Sequence, residues 1–161
     1  KTVEESCRKL NPKAEIIRAD SVVSIENGAD LKGKKVLVVE DGPTLTHGGM
    51  TFGAGHVAAK QNDAASIVDP RPYAVGSIRE TFAKYSHLSE ILPAMGYGRN
   101  QMQELEQTIN AADCDSVVIG TPIDLSKLLK LNKPSVRVRY ELAGEGAAQL
   151  EGVLREHPAF A

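Results

Sequence analysis

The chain has 161 residues, 42% hydrophobic and 25% charged, enough apolar material for one globular domain with its own core. Its 19 Lys and Arg against 21 Asp and Glu leave a net charge of −2, which excludes a field that would gather nucleic acid or hold the chain on an anionic membrane. No apolar run approaches the roughly 20 residues that span a bilayer, and no basic start precedes an apolar signal segment, so a cytoplasmic protein is expected.

Thr2 to Leu10 reads as a helix with no strand before it, and the first residue is Lys1 rather than methionine. A carboxyl-terminal domain of a longer protein, with the remainder upstream, is the expectation. Cys7 and Cys114 show no Cys-x-x-Cys or Cys/His spacing and are expected to be reduced thiols. Glu15 to Ala19 and Val22 to Ile25 are short strand candidates. Lys35-Val-Leu-Val-Val-Glu40 is a continuous apolar run of strand length, the pattern of a parallel strand covered on both faces. A glycine-rich stretch follows. Gly55 to Asn62 then reads as a helix, Ser66 to Asp69 as a strand, Gly76 to Tyr85 as a helix and Ser89 to Ala94 as a strand. Gln101 to Ala112 carries Met102, Leu105 and Ile109 on one helical face and leads into the covered strand Ser116 to Gly120. Ile123 to Leu129 reads as a short helix. Pro134 to Leu142 alternates Val136 and Val138 against Arg137 and Arg139, as on an edge strand, and a last helix spans Glu145 to Glu156.

Strands alternating with helices predict an α/β fold: a mainly parallel sheet with helices on both faces, Rossmann-like or P-loop-NTPase-like, in a single domain over residues 1–161. In such folds ligands lie beyond the carboxyl ends of the strands. Four of those ends carry turn residues mixed with acids, hydroxyls and an arginine: Asp41-Gly-Pro-Thr44, Asp69-Pro-Arg-Pro-Tyr73, Pro93-Ala-Met-Gly-Tyr97 and Gly120-Thr-Pro-Ile-Asp124.

The stretch Glu40 to Gly55 holds five glycines in 16 residues and ends where a helix begins. Glycine lets backbone amides approach an anion, and a helix start adds unpaired N–H groups and a favourable dipole. Gly42, Thr44, Gly48, Gly49, Gly53 and Gly55 are therefore candidate cofactor contacts, with Thr121 and Asp124 from a later strand end. Asp41 stands where nucleotide-hydrolysing folds place a carboxylate that holds Mg2+ through water; the alternative is a turn acid capping Thr44 or His47. Glu40, one residue earlier, points the other way. His47 is a candidate acid, base or phosphate donor. Arg71 is a candidate for catalysis and, with Tyr73 and Arg79, for holding a substrate anion. Arg137 and Arg139 are either further cations or a solvated face. His47 and His56 make no recognised zinc spacing, and His87 and His157 read as surface residues.

Two glycine motifs compete for attention. Gly28-Ala-Asp-Leu-Lys-Gly33-Lys34-Lys35 misses the final hydroxyl of a P-loop and precedes a strand where a P-loop follows one, so it is set aside. Gly53-Ala-Gly55-His-Val-Ala58 fits G-x-G-x-x-A, with Asp69 as the ribose acid, and keeps an NAD-type dinucleotide domain open. A non-catalytic interaction domain supporting an upstream NTPase also stays open.

Val36-Leu-Val-Val-Glu-Asp-Gly-Pro-Thr-Leu-Thr-His-Gly-Gly-Met50, taken with the other three strand-end motifs, resembles the cyclic 2,3-diphosphoglycerate synthetase family, some of whose bacterial relatives are described as predicted GTPases. The resemblance runs over nearly the whole chain. It implies ATP-dependent phosphoryl transfer, with one phosphate of 2,3-diphosphoglycerate activated and the other closing a ring. It further implies Mg2+ with ATP or GTP in the full-length protein, a phosphorylated small-molecule partner, and a P-loop domain upstream in the same protein. Self-association is left open. On this reading the isolated chain is inactive, Asp41, Thr44, His47 and the Gly48 and Gly49 amides face the triphosphate or substrate, and Arg71 and Arg79 hold a substrate anion.

Overall fold

The computed structural model describes residues 2–156. Its central strand, β2 (Lys35–Asp41), is the apolar run of the sequence, and residues 36 to 40 are all buried. A strand enclosed in this way needs neighbours on both edges. β5 (Ser116–Ile119), equally buried, pairs with it in parallel along one edge, Val36 to Val39 facing Ser116 to Ile119. The other edge is shared. β3 (Ser66–Ile67) covers its beginning and β4 (Leu92–Ala94) its end, both parallel. β6 (Ser135–Ala143) pairs in parallel with β5, and β1 (Asp20–Ile25) lies next to β6, so the six-stranded sheet runs in the order β1-β6-β5-β2-β3 with β4 paired to β2.

Six α-helices are present among the described residues: α1 (Thr2–Leu10), α2 (Gly42–Gly48), α3 (Ala54–Gln61), α4 (Gly76–Lys84), α5 (Arg99–Ala111) and α6 (Gly144–Glu156). The mostly parallel sheet interleaved with helices is the Rossmann-like α/β arrangement expected. The contacts group the chain into two compact units, Val23–Arg139 and a smaller one of Lys1–Val22 with Tyr140–Ala161. In the first, Leu37, Val38, Ile91, Leu105, Ile109 and Ile119 are fully buried between sheet and helices. In the second, α1 buries no residue and α6 only Gly146.

Several boundaries differ from the sequence expectations. Residues 15 to 19 form no strand; the extended segment begins at Asp20, where pairing becomes available. Ser66 to Asp69 shortens to two residues because β4 takes over the edge of β2. Ser89 to Ala94 likewise shortens to Leu92–Ala94. Ile123 to Leu129 is only a 3-10 turn at Leu125–Lys127, capped by Asp124. β6 is not an edge, since β1 lies beyond it. The largest difference is α2, a helix inside the stretch read as a phosphate loop. Cys7 and Cys114 are both free, and His157 lies outside the described residues.

Candidate functional site

β2 continues to β3 on one side of the sheet order and β5 continues to β6 on the other, so the carboxyl ends of β2 and β5 form the topological switch point. Open α/β sheets bind ligands in that crevice. Register carries Glu40 level with Gly120 and Asp41 level with Thr121, one residue or two beyond the paired Val39 and Ile119.

Strand alternation sends Glu40 and Asp41 to opposite faces. Glu40 turns inward with Val38, toward the start of α3, and is 3% exposed. The His56 amide donates to its Oε1 at 2.9 Å, and the Gly55 and Gly53 amides lie close enough to favour the charged form as well. Burial nevertheless outweighs these donors and pushes the Glu40 carboxyl above its usual range. The surrounding glycines leave no space for side chains. A Cβ on Gly53 would come within 2.6 Å of Glu40 Oε2, one on Gly55 within 2.9 Å of Val38 Cγ1, and one on Gly120 would collide with the carboxylate and come within 2.8 Å of the Gly55 amide. Of the amides offered by sequence to an external phosphate, those of Gly53 and Gly55 are thus engaged by the protein's own carboxylate.

Asp41 caps α2. Its Oδ2 accepts from the Thr44 hydroxyl at 2.7 Å and the Thr44 amide at 3.4 Å, and Pro43 occupies the first turn, where a missing N–H costs nothing. Gly42 is buried at the helix start, and Gly48 and Gly49 end it, Gly49 in the left-handed conformation at φ 63°. His47 is exposed in the last turn, its Nδ1 3.2 Å from the Pro43 carbonyl and 3.3 Å from Thr46 Oγ1. Thr121 is buried and donates to the Ile123 carbonyl at 2.8 Å. Beside it lies the Tyr97 hydroxyl, whose ionisation is pushed up by burial and by the negative charge of Asp41. Asp41, Tyr97 and Thr121, from the ends of three adjacent strands, therefore share one polar cluster at the switch point.

The remaining predicted residues are engaged by other partners. β3 leaves the sheet early, so Asp69 lies about three residues, or roughly 10 Å, short of Asp41 along the strand direction. Arg71 folds back on Asp69 through bonds of 2.6 to 2.9 Å, which hold the Asp69 carboxyl below its usual range. Tyr73 packs against the core, and Arg79 Nε donates to the Ala74 carbonyl at 3.0 Å. Asp124 accepts from Ser126 at 2.6 Å, which lowers its carboxyl, and faces Lys127 and Arg137. Arg137 and Arg139 both reach Glu26. His87 is exposed, with Nε2 3.4 Å from the Leu45 carbonyl.

Glu40, Tyr97, Gly120 and His56 are the residues that sequence reasoning passed over. His56 stacks on Phe52 with ring centroids 5.1 Å apart, and its buried Nδ1 has no hydrogen-bond partner. A charged residue inside a run expected to be covered on both faces was the available signal for Glu40. Among the described residues no group of three acids, histidines or cysteines gathers to hold a metal. Asp41 alone suits Mg2+ only as one contact to an ion whose other oxygens come from water and phosphate. No helix among the described residues is long and apolar enough to cross a membrane.

Compared with known proteins, the chain is 60% identical over 154 residues, 96% of its length, to a protein of Thermococcus kodakarensis named arginine synthetase ArcE. It spans 34% of that relative's length. The similarity is thus to a synthetase by name, without specifically supporting the cyclic 2,3-diphosphoglycerate synthetases that the motifs resemble. No family model and no solved structure matches the chain.

Proposed function

We propose that this chain is one segment of an ATP-dependent, ligase-type enzyme, and that the crevice between β2 and β5 forms part of its substrate site. The observation that carries the reading is the 60% identity, over nearly the whole chain, to the protein named arginine synthetase. Ligases of this type use a phosphoryl group from the nucleotide to turn a substrate oxygen into a leaving group. The motif resemblance and the relative's name share that activation step and differ in the acceptor. In this reading Mg2+ and ATP or GTP are held by a P-loop in another part of the longer protein.

Asp41, Tyr97 and Thr121 form the polar surface that meets the substrate. Asp41 carries the charge, Thr121 and Tyr97 supply hydroxyls, and the three come from the end of β2 and from the segments that follow β5 and β4. Among the described residues no Lys or Arg pairs with Asp41, whereas Arg71 is tied to Asp69. An Asp41 carboxylate without a basic partner suits the cationic or neutral head of an arginine-type amino acid better than a phosphate. The G-x-G amides, occupied by Glu40, offer nothing to a dinucleotide.

Calorimetric titration of L-arginine and of 2,3-diphosphoglycerate into the full-length protein tests the assignment. Saturable arginine binding, weakened about tenfold or more by Asp41→Ala, is expected from loss of a charge-assisted hydrogen bond. Binding of 2,3-diphosphoglycerate without arginine would sink the substrate reading. Arginine binding indifferent to both Asp41→Ala and Thr121→Val would move the site elsewhere.

A further inference from the structure

Three glycines from two separate segments surround one carboxylate. Gly53 and Gly55 open α3, while Gly120 follows β5, and a Cβ on Gly53 or Gly120 would run into Glu40. Packing of helix on sheet explains Gly55, which lies against Val38. It does not explain Gly120, whose missing side chain is the space the carboxylate fills. The amides of Gly53, Gly55 and His56 converge on the same group from the start of an eight-residue helix, where unpaired N–H groups and the dipole favour an anion. A backbone cradle of this kind ordinarily receives a ligand phosphate. Here its occupant comes from the adjoining strand and is buried.

We infer that Glu40 is a positioning residue that fills, with its own carboxylate, the anion seat at the start of α3, and that this seat admits a small external carboxylate or oxyanion once Glu40 is shortened. By bridging β2, α3 and the turn after β5, Glu40 fixes the backbone that sets Asp41 and Thr121 side by side. The native seat is closed to phosphate, so a ligand of this chain meets the Asp41 and Thr121 surface and not the G-x-G amides. The inference stands apart from the arginine reading, because its test is read on thermal stability and needs no substrate.

The test compares wild type, Glu40→Ala and Glu40→Gln, melted in sodium formate and in sodium chloride of equal ionic strength. Glu40→Ala leaves the amides unpaired and is expected to melt roughly 5 °C or more below wild type. Formate, which fits the vacated seat, is expected to raise its Tm saturably, with inorganic phosphate as the larger probe. Wild type and Glu40→Gln, whose seats stay filled, are expected to show no formate-specific rise. Glu40→Gln should still melt below wild type, because its amide nitrogen faces N–H donors. Should Glu40→Ala fail to fold, dilution from urea into formate or chloride replaces the melt; recovery in formate alone supports the assignment, and no difference between the salts counts against it. A formate response in Glu40→Ala no larger than in wild type, or a Tm equal to wild type, overturns it.

Discussion

Neighbouring carboxylates at the end of one covered strand meet different conditions, and the two faces of β2 explain why. Glu40 turns toward α3 and loses water; Asp41 turns to the opposite face and becomes a helix cap. The loss of water has a pH signature. Burial raises the folded carboxyl of Glu40 above its ordinary value of 4.5. A raised folded value means that its stabilising contribution is complete below the unfolded value and is lost as pH rises through the folded one. Glu40→Gln does not titrate there, so its deficit in Tm relative to wild type should be largest in mild acid and narrow as pH rises toward neutrality. The lowered carboxyls Asp69 and Asp124 are common to both proteins and cancel in the difference. Melting curves of both proteins from pH 4 to 8 check this; two parallel profiles would show that Glu40 is not the titrating group. Asp41 separates cap from charge. Asp41→Ala should cost about 1 kcal/mol in urea unfolding, while Asp41→Asn, an equally good cap, should lose only a few tenths. If Asp41→Asn nevertheless loses ligand binding, the charge matters beyond the cap. Of these residue-scale features, Asp41's cap was readable as one of two alternatives, since Asp-Gly-Pro-Thr carries its own signal. Glu40's role was not, because the glycine that completes its cradle comes from 80 residues further along the chain.

Glycine content pulled the reading of elements in the wrong direction at one place. A stretch with five glycines reads as open loop, yet its first seven residues after Asp41 form α2. The local signals were present: an acidic cap, proline in the first turn and glycine at the end. What the sequence does not show is that Leu45 of this short helix is buried, 1% exposed, and that burial holds together a helix too short to stand by itself. Leu45→Ala should therefore cost about 2–5 kcal/mol, measured by urea denaturation of the otherwise unchanged protein. A cost below 1 kcal/mol would mean that α2 does not depend on this contact. Arg71 shows the converse. Its place after a strand end made it a candidate anion holder, but β3 pairs with only two residues of β2 and ends low on the sheet, and Asp69 already engages the guanidinium. Such register is set by tertiary pairing and cannot be counted from strand lengths. Because that pair is half exposed and open to screening by salt, Arg71→Ala should leave the midpoint of urea denaturation close to that of wild type.

At the scale of the whole molecule, buried apolar side chains are distributed unequally. Continuous strands such as 36 to 40 and 116 to 119 announce a core in the sequence, and the core of Val23–Arg139 follows them. The flanking segments carry no comparable run. Val3, Leu10, Leu142 and Leu154 are all exposed, and the ion pairs of α1, from Glu4 to Arg8 and Arg18, lie on the surface and are screened by salt. Local opening is governed by such differences, because a segment that buries little loses little when it unfolds. Amide hydrogen exchange of the native protein should accordingly separate two classes. Amides of α1 and α6 should exchange through local opening, at rates largely indifferent to low denaturant. Those of β2 and β5, buried and paired on both edges, should exchange only with global unfolding and respond steeply to denaturant. Raising salt from 50 to 500 mM should speed exchange in α1 while leaving β2 and β5 unchanged. Equal protection of α1 and β2 would show that the two units unfold as one and that burial does not rank their stabilities.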